Sequence, residues 1–76
     1  MTSSKKNQRR KEKEFIKQVS SRIKICRLKT SLTQEELEEK SRITVSRCES
    51  GKYDMTLTTV SILSKHLNVQ PWELLK

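Results

Sequence analysis

Seventy-six residues and 9.0 kDa allow one small domain, and a chain of this size buries only about 60–65% of the surface it exposes when unfolded. Apolar residues are 32% and charged residues 34% of the total, and a mean hydropathy of −0.81 leaves part of the chain too polar to fold. Seventeen Lys and Arg against nine Asp and Glu give a net charge of +8, which suits a polyanion, nucleic acid before an anionic membrane. No apolar run nears the roughly 18–20 residues that span a bilayer, and the basic N-terminus lacks the apolar stretch of a signal peptide.

The charge is concentrated at the start. Residues 1–13 hold Lys5, Lys6, Arg9, Arg10, Lys11 and Lys13 against Glu12 alone. With no apolar residue except Met1, this segment cannot offset its ordering entropy and is expected to be a disordered basic tail ahead of a domain at residues 14–76. It reads either as an arm that reaches phosphates or a minor groove, or as a solubilising leader.

From Phe15 the pattern turns helical. Ile16, Val19, Ile23 and Cys26 recur at three and four residues, one face of an amphipathic helix. Ser31 breaks the run, with Leu32 as the next core residue. Thr33-Gln34-Glu35-Glu36 has the spacing of a capping box, which opens a second helix bearing Leu37. Ser41 can cap a third segment with Val45 and Cys48 inward. Gly51, the one glycine, stands where a helix end wants positive φ. Thr56 can cap a fourth helix carrying Leu57, Val60, Leu63 and Leu67, which Asn68 ends. Pro71 suits the first position of a short last helix. Its Leu74 and Leu75 are available to close the core; Trp72 belongs to the core or to a dimer interface. The expected fold is all-α: five short helices in a compact bundle.

Cys26 and Cys48 are too few for a disulfide framework. With His66 they lack a fourth metal ligand, so both are expected to be small buried residues in a reducing cytosol. No metal, cofactor or small-molecule substrate is implied, and no nucleophile–base pair supports an enzyme.

The runs Val19-Ser20-Ser21-Arg22-Ile23-Lys24, Arg27 and Leu32-Thr33-Gln34-Glu35-Glu36-Leu37 resemble the opening of the phage-repressor (Cro-like, XRE-type) helix-turn-helix family. Val45-Ser46-Arg47-Cys48-Glu49-Ser50-Gly51-Lys52 resembles the end of its recognition helix and the turn after it. Leu57 through Leu75 looks like its last two helices. The resemblance implies a homodimer on double-stranded operator DNA, with the third helix in the major groove, and a cytoplasmic regulator, in particular a repressor. It places Gln34, Ser41 and Lys52 at phosphates and Arg42, Ile43, Thr44 and Arg47 at base edges. Arg27 and Glu49 match a buried ion pair that ties the first helix to the third.

The chemistry of these residues agrees. An arginine donates two parallel hydrogen bonds to guanine O6 and N7, and Ile43 can meet a thymine methyl. The bland alternatives are a solvated charged face for Arg42 and Arg47, a polar first turn for Gln34, and a dipole contact for Lys52.

One departure stands out. Between Leu37 and Val45 there are about three residues fewer than the family pattern has, and neither glycine nor proline marks a turn. Either the second helix is curtailed with a tight turn at Lys40-Ser41, the favoured outcome, or Leu37, Ser41, Val45 and Cys48 form one stripe of a fused helix. Two rival functions remain: a helical module that binds a protein through Trp72, Leu74 and Leu75, and an RNA or membrane binder driven by residues 5–13.

Overall fold

The apolar stripe through Val19 and Ile23 lies on α1 (Thr2–Lys29) in the computed structural model of the chain. The structure describes residues 2–76, with side chains from residue 12 onward. Of the expected tail, residues 1–13, the side chains up to residue 11 lie outside the described residues; the backbone helix begins at Thr2. At 28 residues, α1 is about 42 Å long and sets the longest dimension of the molecule, 44 Å. It ends where Ser31 takes a left-handed backbone, φ 60°.

Four shorter helices follow: α2 (Gln34–Ser41), α3 (Val45–Cys48), α4 (Leu57–His66) and α5 (Pro71–Leu75). The all-α fold of five helices is therefore as expected, with no strand among the described residues. Each boundary has a local cause. The Thr33 hydroxyl accepts the Glu36 N–H at 3.0 Å, and the Glu36 carboxylate accepts the Thr33 N–H at 2.9 Å. The Thr56 hydroxyl accepts the Thr59 N–H at 3.1 Å at the head of α4. Asn68, at φ 59°, turns the chain after α4, and Pro71 supplies the preset φ of a first helical position.

The core gathers one face of every helix: Val19 and Ile23, then Leu37, Val45 and Cys48, then Val60, Leu63 and Leu67, and Leu74. Three expectations are corrected here. Leu57 is 77% exposed, because it stands in the first turn of α4 and points off its inward face. Trp72 is 62% exposed, so it is no core residue; Leu74 closes that end. Cys26 is only half-buried, whereas Cys48 is buried, and burial pushes the Cys48 thiol up from its ordinary pKa. The Cys48 thiol therefore stays protonated at neutral pH, a packing group and not a nucleophile.

Gly51 has φ +80°, and a Cβ there would stand 3.2 Å from Lys17 Cγ. The left-handed backbone calls for glycine at the turn after α3, and any side chain there would also push the Lys17 side chain aside by a few tenths of an ångström.

The Glu36 carboxyl is held below its usual pKa, first by the Thr33 backbone N–H and then by the Thr33 hydroxyl. Because its folded pKa is depressed, its contribution is present above the ordinary value of 4.5 and is lost as pH falls through the lowered one. Thr33→Ala should cost about 1 kcal/mol in urea unfolding at neutral pH. Glu36→Ala should also destabilise, and that loss should shrink in acid as the wild-type Glu36 protonates; a pH-independent loss would contradict a carboxylate cap on the Thr33 N–H.

Candidate nucleic-acid interface

The connection between α2 and α3 decides what the site can be. Arg42 follows Ser41 with φ 63° and ψ 25°, a left-handed residue whose N–H donates to Glu38 O at 2.8 Å. The helix stops there, Ile43 and Thr44 cross to the next element, and Val45 opens α3. The two helices do not fuse. The curtailed form is what the chain adopts, but the turn lies at Arg42–Thr44 and not at Lys40-Ser41. An arginine in this conformation carries a steric cost that a glycine would not.

The expected cap at Ser41 is also corrected. Ser41 is the last residue of α2, only 8% exposed. Its hydroxyl donates back to Leu37 O at 2.7 Å and accepts the Ile43 N–H at 3.2 Å. The oxygen expected at a phosphate is thus spent on shaping the turn. Thr44 occupies the N-cap position of α3 without a side-chain bond. The acceptor comes from α2 instead: Glu38 Oε1 takes the Ser46 N–H at 3.2 Å. Glu38 had no distinguishing spacing, so nothing in the sequence pointed to it.

The other end of α3 is locked by charge. Arg27 is 7% exposed. Its Nε donates to Glu49 Oε2 at 2.6 Å and its second terminal nitrogen to Glu49 Oε1 at 3.0 Å. Its remaining nitrogen donates to Leu32 O at 2.8 Å, which holds the α1–α2 connection. The hydrogen bond to Glu49, more than the opposite charge alone, raises the Arg27 pKa against the effect of burial. Gln34 Nε2 also donates to Glu49 Oε1, at 3.0 Å. One carboxylate therefore ties α1, the first turn of α2 and the C-cap of α3 together.

The remaining candidates divide by exposure. Val45 and Cys48 face the core, so α3 turns Ser46 and Arg47 outward. Arg42, Thr44, Arg47 and Lys52 are exposed; Gln34 and Ile43 are half-buried, with Ile43 packed against the core. The Arg47 guanidinium lies 5.4 Å from the centre of the Tyr53 ring, a cation–π contact that limits its rotamers. Six residues separate the two, a spacing with no helical meaning, so the pair was not legible beforehand.

The family model of helix-turn-helix proteins matches residues 23–74, about two thirds of the chain. The chain belongs to the helix-turn-helix family. It is of the Cro-like, XRE type, and so a DNA-binding helix-turn-helix regulator; such a family is one of DNA binding and regulation, not typically of catalysis. No curated protein and no solved structure matches it. Among the described residues no group of His, Cys, Asp and Glu could hold a metal ion, and no helix is long and apolar enough to cross a membrane.

Glu49→Ala leaves the Arg27 charge buried without its partner, and should cost about 3–5 kcal/mol in urea unfolding. Replacing both, as Arg27→Met with Glu49→Leu, should cost much less, since no charge is stranded. Equal losses in the two variants would show that the pair's charge is not what matters.

Proposed function

We propose that this helix-turn-helix chain is a cytoplasmic transcriptional repressor that binds a palindromic operator as a homodimer. Its half-sites lie about 34 Å apart, one turn of DNA. The observation that carries this reading is the outward face of α3, where Arg47 is exposed and braced by Tyr53 while Val45 and Cys48 are buried.

Arg47 is assigned the main base contact, in a bidentate geometry suited to guanine. Thr44 and Arg42, both exposed just before α3, add contacts at its mouth. Ile43 offers its half-buried edge to a thymine methyl, and Ser41 supports the turn from within. Gln34 meets a phosphate with the amide N–H that it does not give to Glu49. Lys52 meets another from the turn after α3. A dimer that neutralises about eight phosphates should show a slope of log K against log salt near −7.

Dimerisation is supported by the exposed indole of Trp72 on α5. The same indole favours a second reading, a module that binds another protein. Absence of duplex affinity above that for random DNA at about 0.15 M salt would favour that module.

Arg47→Ala should cost about 1–3 kcal/mol on the preferred site and relax specificity at one position. Lys52→Ala should weaken all sequences alike and reduce the salt slope by about 1. Mobility shifts on site and random duplexes separate the two; equal loss on both for Arg47→Ala would remove its base-reading role.

A further inference from the structure

The four residues of α3 rise only about 6 Å, less than two base-pair steps of about 3.4 Å. So short an element makes few base contacts, and affinity must come from phosphates elsewhere. The structure offers a second cationic surface next to the first.

Lys17 lies across the turn after α3: its Cγ is 3.2 Å from where a Cβ on Gly51 would stand. The next residue in that turn is the exposed Lys52. The exposed face of α1 is therefore continuous with the phosphate contact assigned to Lys52. Lys13 and Lys17 are both exposed and one turn apart on α1. Four residues apart, they share one face of the helix, within about 40° of each other. Glu12 lies well off this face, and Glu14, three residues before Lys17, borders it. Nothing apolar in this pair calls for a protein partner. Two like charges one helical turn apart, next to the turn that carries Lys52, suit the phosphates of a nucleic-acid backbone instead.

We infer that the N-terminal half of α1 is a second DNA-binding surface, which runs from Lys17 and Lys13 along phosphates flanking the site that α3 reads. The inference rests on the DNA-binding reading above and extends it to DNA outside the half-site. The contacts are with the backbone alone, so they add affinity and salt dependence without adding sequence preference. They also require duplex to be present where α1 reaches.

The test uses the full chain and the double variant Lys13→Gln/Lys17→Gln. Both side chains are exposed and Gln is a good helix former, so circular dichroism should be unchanged. Binding is measured against salt on a duplex with flanks and on one trimmed to the site. A charge-matched control, Lys29→Gln/Lys65→Gln, removes two exposed cations near the C-terminal ends of α1 and α4. On the flanked duplex the Lys13/Lys17 variant should lose about 2 from the salt slope per bound chain, about 0.9 per phosphate contact. Over a fourfold rise in salt, the wild type should then lose about tenfold more affinity than this variant. The control should keep the wild-type slope, and trimming the flanks should erase the difference between wild type and variant. An unchanged slope in the Lys13/Lys17 variant, or an equal loss in the control, would overturn the inference while leaving the DNA-binding reading intact. Failure of the wild type to bind any duplex would overturn both.

Discussion

The Glu49 carboxylate is the fastener of this small protein. Both of its oxygens accept from Arg27, and one also accepts from Gln34. A helix of four residues has almost no stability of its own, since nucleating the first turn costs more than its few hydrogen bonds return. What keeps α3 in place is therefore tertiary: Val45 and Cys48 in the core, Glu38 at its head, and the Arg27–Glu49 pair at its foot. The pair is shielded, with side-chain exposures of 9% and 3%. Its weight lies in orientation more than in net stability, because desolvating two charges costs much of what their attraction returns.

The shortened α2–α3 connection imposes the second constraint. Arg42 takes the left-handed place that closes α2, and Ser41 turns its hydroxyl inward to support the bend. Two residues that the family resemblance assigned to DNA are thereby drawn into making the turn. Ile43 is drawn partly into the core in the same way. The residues left free at α3 are few, and on the reading proposed above recognition leans on phosphates and on the cationic face of α1.

Much of this was legible in the sequence, for reasons that differ by element. The ends of α2, α4 and α5 could be read because caps are local: Thr33 with Glu36, Thr56, and Pro71 need only neighbours in sequence. The core of α1 followed from periodicity. Leu57 was misplaced, and Trp72 was left open between core and interface, because spacing shows which residues share a face, but not where a short helix first meets its neighbour. At the candidate site, the Arg27–Glu49 pairing rested on resemblance, while Glu38 with Ser46 and Arg47 with Tyr53 are long-range or irregular contacts that leave no pattern. The choice between a bend and a fused helix was likewise settled by tertiary structure, since the residues of the stripe fit both.

The central claim is that α3, one turn long and held at both ends, reads very little sequence while the basic surfaces around it supply the grip. Selection from random duplex DNA tests this most directly. The account predicts a short dyad in which each half-site is specified at about two base pairs, with unselected flanks. Enrichment of half-sites specified at about four or more adjacent positions would contradict it.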